Sequence, residues 1–419
     1  MGGCRIEQSL IHTLKNMRGN QRACVYTEPL WGLSLNLCLP YASVYMLGIG
    51  LNDLQVGITA SIYMFSQMVF SLLSGVIIDK MGRRKSSALF DVFGWAIPSL
   101  IWAFSQGFWF FAVAALLNGV MKGSIVSWGC LLIEDAEKDK LAHIYAWVTI
   151  CGNLSALFAP IASVMVSKLT LVPAVRILYI NAFIVMTAKI ILLYIISRET
   201  RQGAIRMQET RDQSLLSLLG GYKSVVRQVL KSRGMFFAIL MYALIEIVSM
   251  VSATFWQIIV SKRIGAPDAL LPLFPMVRSV ISIVFFFTII SRINQARLKI
   301  PMFAGYITTL IGSVVLVLIP QDSSAYIWLG ISILFDSLGM AILGTLRDTL
   351  AAMHSDPKER SRIMAILHTT VMMVSMPFGY IAGFLSEISR ILPFVLNMVL
   401  LAAGMIGVLV YFRKEKIYG

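Results

Sequence analysis

Apolar runs of roughly 20 residues recur from one end of this chain to the other, and that recurrence limits the possible folds more than any other feature. Each run is long enough to cross the hydrocarbon layer of a bilayer as a helix. Lipid cannot satisfy unpaired backbone groups and a helix satisfies its own, so membrane-spanning α-helices are the expected element. Twelve spans read out, at about 29–49, 54–78, 86–106, 108–133, 142–167, 175–197, 235–260, 270–290, 300–320, 324–347, 362–386 and 391–412. With 58% of its 419 residues hydrophobic and only 14% charged, the chain lacks the polar surface a soluble domain of this length needs.

The net charge of +15 raises the question of nucleic acid, and the distribution of the charge answers it. Of the 36 Lys and Arg, 28 fall in the N-terminus, the even-numbered connections and the C-terminus, five on the other side and three inside spans. This is the positive-inside pattern: both termini are expected in the cytoplasm, as in a multi-pass protein of a cell (inner) membrane. The excess charge then lies against anionic lipid, and no nucleic-acid partner is implied. Residues 5–22 (RIEQSLIHTLKNMRGNQR) are too polar for a signal peptide and are expected on the membrane surface. The opening Met-Gly-Gly-Cys has Ile6 where an acylation signal needs Ser or Thr. Five cysteines (Cys4, Cys24, Cys38, Cys130, Cys151) show no spacing for a metal, and no disulfide, metal or cofactor is expected.

The longest polar stretch, 198–234, divides the spans six and six. The expected organisation is an N-terminal segment (1–28), a six-helix bundle (29–197), a cytoplasmic linker (198–234), a second bundle (235–412) and a tail (413–419). The linker begins SRETRQGAIRMQETRDQ, reads as solvated, and then turns amphipathic, as a helix resting on the bilayer would. The halves echo each other: KDKLAHIYAW (138–147) and FAPIAS (158–163) match KERSRIMAIL (358–367) and FGYIAG (378–383) at one offset, and DKMGRRK (79–85) answers SRINQAR (291–297). A weak internal repeat of this kind is how alternating-access carriers are built.

Between the second and third spans, five charges crowd into DKMGRRK. A connection this short needs glycine for the reversal, basic residues to hold its side of the membrane, and an acid that can meet a basic neighbour or a helix N-terminus. The pattern Gly75-x-x-x-Asp79-Lys80-x-Gly82-Arg83-Arg84 resembles the signature of the major facilitator superfamily at every position, and the resemblance extends to the span count, the basic linker and DPKERSR (356–362). It implies an all-α integral membrane protein of two pseudo-symmetric six-helix bundles around a central cavity, acting as a monomer. It also implies a cytoplasmic gate centred on Asp79, with Gly75, Lys80, Gly82, Arg83 and Arg84 as its geometry and partners; the alternative is a topology anchor alone. SRINQAR lacks the acid and the glycines, so a second gate there would be weaker. The basic residue that often precedes the fourth-helix glycine is replaced by Ala115, and the glycine series of proton-coupled exporters by Ala146, Ser155, Ala159, Pro160 and Ser163, which weakens an exporter reading while keeping the residues small.

Six ionisable side chains fall inside spans: Asp91, Lys122, Lys189, Glu246, Arg278 and Asp336. Each costs several kcal/mol there unless it meets a partner or a wet cavity. Three acids and three bases favour internal pairing. Asp91 and Lys189 read as a structural pair. The remaining four, with Asn36, Tyr41, Asn118, Tyr242 and Gln257, are the candidates for a cavity that binds solute and coupling ion; helix-packing roles are the alternative for each. Tyr242, Glu246, Ser249, Ala253 and Gln257 are spaced by 4, 3, 4 and 4, one helix face. Arg278 is expected to pair with Glu246 or Asp336. Glu28-Pro29 reads as a capped helix start. His368 reads as a packing histidine.

No GxxxxGK[ST] phosphate loop is present, so direct ATP drive is not expected. The chain is therefore expected to be no enzyme but a secondary transporter of a small organic solute, driven by protons or another ion, with drug or amphiphile export favoured. Import of a sugar or small organic acid is the alternative. A non-transporting membrane receptor on the same fold is a third, more distant reading.

Overall fold

The computed structural model describes residues 14, 16–137, 141–214, 233–288, 298–320, 322, 324–353 and 360–415. Its described residues form helices joined by short turns, with no strand among them. We number the helices α1 (Gly19–Gly48), α2 (Asp53–Met81), α3 (Arg83–Ala103), α4 (Phe108–Ile133), α5 (Leu141–Ala156, continued by Ala159–Leu169), α6 (Leu171–Ile196), α7 (Arg201–Glu209), α8 (Arg233–Lys262), α9 (Leu273–Thr288), α10 (Lys299–Leu318), α11 (Ala325–Met353), α12 (Arg360–Ile388) and α13 (Leu392–Glu415). Eleven of these are long and apolar enough to cross a membrane among the described residues. The expected eighth span is represented by α9, beyond which residues 289–297, including SRINQAR, lie outside the described residues. The amphipathic part of the linker, 215–232, and most of DPKERSR also lie outside them.

The chain forms two compact units, 1–40 with 66–220 and 41–65 with 221–419. The end of α1 (41–48) and the first part of α2 (53–65) therefore pack with the second unit. In unit 1, α1 lies against α5 and α6, and the start of α3 lies against α4. In unit 2, α10 packs on α11 and α13, and α8 on α12 and α13. Isoleucine, leucine and valine face outward along these helices (Ile184, Ile195, Leu318, Ile327, Val399), while most polar groups turn inward, the reverse of a soluble protein and the pattern lipid favours.

Local sequence sets the joints. Gly50, at φ +104°, makes the reversal between α1 and α2. Asn52 and Gln55 then form a reciprocal capping box: the Gln55 N–H donates to Asn52 Oδ1 at 2.9 Å and the Asn52 N–H to Gln55 Oε1 at 3.1 Å. Near that end of α2, Gly57 lies against the backbone of Gly379 and Gly383 on α12, and the Ser61 hydroxyl donates to the Met376 carbonyl at 2.7 Å. Asp53 at the same seam accepts from the Ser386 hydroxyl (2.6 Å) and from Arg390 (3.3 Å). In α3, residues Val92–Ala96 widen into a π-helical turn, and Asn118 of α4 donates to the Gly94 carbonyl there at 2.8 Å.

One expectation needs correction. Glu28-Pro29 does not start a helix: α1 begins at Gly19, Pro29 lies inside it, and Glu28 is buried. Residues 19–28 stay helical because they are held by tertiary contacts: Asn20 exchanges two hydrogen bonds with the Arg198 backbone, at 2.9 and 2.7 Å. An internal proline loses one helix hydrogen bond, which burial against α5 and α6 outweighs here.

Candidate functional site

Three charge clusters stand out, two in unit 1 and one in unit 2. The first is built on the charged reversal after α2. Gly82 takes φ +83°, a conformation a side chain resists, and so turns the chain from α2 into α3. Asp79 pairs with Arg83 at 2.9 Å and with Arg206 of α7 at 2.8 Å. Arg83 continues to Glu134 at the end of α4, at 3.1 Å, and Glu134 accepts from the Thr200 hydroxyl. Glu199 caps the N-terminus of α3: its two carboxylate oxygens accept the backbone N–H groups of Arg83 (2.7 Å) and Arg84 (3.0 Å). A carboxylate there meets both free donors and the positive end of the helix dipole. Arg84 donates to the Tyr194 carbonyl at 2.5 and 2.9 Å and lies over the Tyr194 ring at 4.1 Å. Arg206, outside the spans, has its guanidinium pKa raised, chiefly by its hydrogen bond to Asp79.

The start of the linker is thus a bound strap, with α7 clamped onto the reversal. SRETRQGAIRMQETRDQ is solvated along one side only: Arg201, Gln202, Gln208, Glu209 and Arg211 are exposed, while Thr200, Gly203 and Thr210 are buried against the reversal. Glu199 and Arg206 are the partners the sequence did not reveal, because their contacts span 116 and 127 residues. A Cβ on Gly82 would meet Glu199 Oε2 at 2.5 Å and Met207 Sδ at 2.6 Å. Gly82→Ala is therefore expected to lift α7 from the reversal. The check is limited trypsin digestion in detergent, where cleavage at Arg201, Arg206 and Arg211 should quicken about tenfold; unchanged protection would contradict the clamp.

The second cluster is Asp91 of α3 with Lys189 of α6, at 2.5 Å, their side chains 1% and 3% exposed. The Ser124 hydroxyl donates to the other carboxylate oxygen. This pairing is the structural one the sequence suggested. It leaves little room for a solute.

The third cluster lies in unit 2. Helix α11 carries Asp336 and Arg347 on one face, eleven residues or three turns apart, about 16 Å along the axis. Asp336 pairs with Arg278 of α9 at 3.2 Å, and Arg347 pairs with Glu246 of α8 at 3.1 Å. Each guanidinium also covers an aromatic ring of α8: Arg278 lies over Trp256 at 4.6 Å and Arg347 over Tyr242 at 4.4 Å. The Tyr242 ring in turn stands edge-on to His368 at 5.3 Å. Two ion pairs of opposite polarity, each backed by an aromatic face, are therefore held by α11 against α8 and α9. The pairs are partly exposed, 28% and 14% for Arg278 and Asp336 and 21% for each member of the other pair. On α11, Asp336 points about 160–180° away from Ile327 and Leu334, which face outward. Charges of this kind can exchange partners without leaving the protein interior.

The remaining candidates are placed as follows. Asn36 donates to the Gly152 carbonyl at 3.5 Å, a long bond, and Asn118 is taken up by Gly94. Tyr41 is fully buried, and its hydroxyl has no partner among the described residues. Lys122 is half-buried on α4. The Gln257 amide oxygen lacks a partner among the described residues. Tyr242 and Glu246 meet at Arg347, and Arg278 meets Asp336 three turns away along α11. Trp256, Arg347 and His368 join them and were not among the sequence candidates. The readable signal for Arg347 was its spacing from Asp336.

Eleven helices long and apolar enough to span a bilayer, with ion pairs held between them, are the architecture of a multi-pass membrane protein. A family model, the Major Facilitator Superfamily, matches residues 31–345. The chain belongs to that superfamily. Over 136 residues it is 26% identical to the multi-drug resistance efflux pump PmrA of Streptococcus pneumoniae, in two strains. That match takes in 30% of this chain and 32% of the relative, so the chain spans about a third of the curated relatives' length. Among solved structures, the nucleoside transporter NupG aligns over 94% of this chain and 100% of its own, with TM-score 0.75 and 13% identity. A POT family transporter in complex with 5-aminolevulinic acid aligns over 94% and 95%, with TM-score 0.67 and 14% identity. A bacterial homologue of the iron transporter ferroportin, in an inward-facing state, aligns over 94% and 98%, with TM-score 0.66 and 15% identity. At these identities the structural likeness carries the fold alone.

Proposed function

We propose that this transporter is a secondary active carrier that moves a small organic solute by alternating access and is driven by protons, with export of amphiphilic compounds as its direction. The observation that carries the reading is the Glu246–Arg347 pair on Tyr242, inside the spans and partly exposed. In this reading Glu246 is the group that carries the coupling proton, and Arg347 is the counter-charge that holds its carboxylate within the spans. Solute and proton then share one base, which is coupling in its simplest form. Asp79 and its clamp serve as the gate on the cytoplasmic face, where both termini and the linker lie, in a cell membrane. The carrier works as a monomer. Export is supported by the partial match to a multi-drug efflux pump. Import of a small organic acid is the second reading, favoured by Arg278 and Asp336 within the spans.

Proteoliposome flux across a solute panel, with and without a pH gradient, tests the proposal. The expected result is movement of amphiphiles against their gradient only when protons flow the other way. Solute movement that ignores the pH gradient would remove the proton from the account.

A further inference from the structure

Arg278 is used on one edge only. Its Nη1 meets Asp336 at 3.2 Å, while Nε and Nη2 are buried and have no hydrogen-bond partner among the described residues. Those two nitrogens form the parallel N–H fork with which arginine grips a carboxylate or phosphate through two bonds. Buried donors on a charged group are costly to leave unmade, so a ligand that fills this fork gains two charge-assisted bonds.

Lipid is poorly placed to do so. Val277, Val280 and Val284 form the outward face of α9, and Arg278 points roughly 100–160° away from them. The guanidinium face is already covered by Trp256, whose ring meets Phe274 edge-on at 5.2 Å. An aromatic floor, a vacant charged fork and a carboxylate on the third nitrogen make a site for a negatively charged group attached to an apolar body. The apolar part suits the Trp256 and Phe274 rings, and the oxyanion suits Nε and Nη2.

Resting on the transporter reading above, we propose that the solute is an organic anion whose carboxylate or phosphonate docks bidentately on the Nε/Nη2 edge of Arg278. Asp336 holds the same guanidinium from its other side and competes electrostatically with the solute. Neutral and cationic amphiphiles of equal size are discriminated against, because neither fills the fork.

The test uses full-length protein and a matched panel: 4-phenylbutyrate, 4-phenylbutylphosphonate, 4-phenylbutyramide and 4-phenylbutylamine, with longer alkyl and aryl homologues of each. Binding is read in detergent by quenching of tryptophan emission, with Trp256→Phe to locate the signal, and exchange is read separately in proteoliposomes. The anions are expected to bind about 10- to 100-fold more tightly than their amides. Arg278→Lys keeps the charge but not the fork and should abolish that preference, while gel filtration and thermal melting confirm a folded protein. Asp336→Asn removes the competing charge and should tighten anion binding. Amides or amines bound as well as the anions, no member of the panel bound, or an undiminished preference in Arg278→Lys would each overturn the proposal. Amine or amide exchange without anion exchange would do so while leaving the transporter reading intact; if no solute moves at all, that reading falls as well.

Discussion

Glu246→Gln is expected to uncouple transport from the proton gradient while leaving exchange of solute intact. Glutamine keeps the shape and a hydrogen-bonding oxygen at the 3.1 Å contact with Arg347. It cannot take up or release a proton. In proteoliposomes carrying a gradient of one pH unit, a one-proton carrier accumulates solute about tenfold, since each tenfold ratio corresponds to roughly 1.4 kcal/mol. The variant should fall to a ratio of about one, with counterflow of labelled against unlabelled solute persisting. A variant that still concentrates solute normally would remove Glu246 from the coupling step, and Asp336 would be the next acid to change.

The second large effect concerns stability. Asp91→Asn leaves the Lys189 ammonium buried at 3% exposure with no counter-charge. Removing one member of a buried pair costs about 3–5 kcal/mol, because the other charge is stranded away from water. Thermal melting in detergent should show a marked drop, and expression should fall with it. The double change Asp91→Leu with Lys189→Met removes both charges and is expected to recover most of the loss. The Ser124 hydroxyl can still donate to the amide oxygen in Asp91→Asn, whereas the double change removes that acceptor. A near-normal melting temperature for Asp91→Asn would mean that the pair contributes little.

The architecture was largely legible because lipid imposes a simple rule: long apolar runs must be helices. Depth and charge balance were enough to match Asp91 with Lys189 and to narrow the partner of Arg278 to Glu246 or Asp336, of which the structure has Asp336. Helix ends were less legible. The tenth span as read from the sequence stops at 347, yet α11 continues to Met353 and Arg347 meets Glu246. Its spacing from Asp336 fixed a shared face, but which residues of α8 and α9 that face would meet depends on the tilt and register of neighbouring helices. Those are set by packing at many small contacts, such as Gly339 against Thr309 and Gly312 against the Asp336 backbone. The reversal at Gly82 was readable as a motif, whereas its cap came from Glu199, a residue that looks like any other solvated acid. Proline was the misleading signal: Pro29 resembles a first-turn residue, and only the contacts of residues 19–28 show that the helix has already begun.

The crossed arrangement on α11 bears on how the protein is made. Glu246 and Arg278 lie on helices that are synthesised first, and the partner of each lies on α11, with 101 residues between Glu246 and Arg347. At the usual pace of translation, that interval is on the order of 5–20 s. Until its partner on α11 is made, each charge sits in a nascent helix at an insertion cost of about 3 kcal/mol. Arrival of a single later helix neutralises both at once. Assembly of the second half therefore has a late committed step, and a chain truncated before α11 would leave the insertion machinery with two helices that lipid has reason to reject.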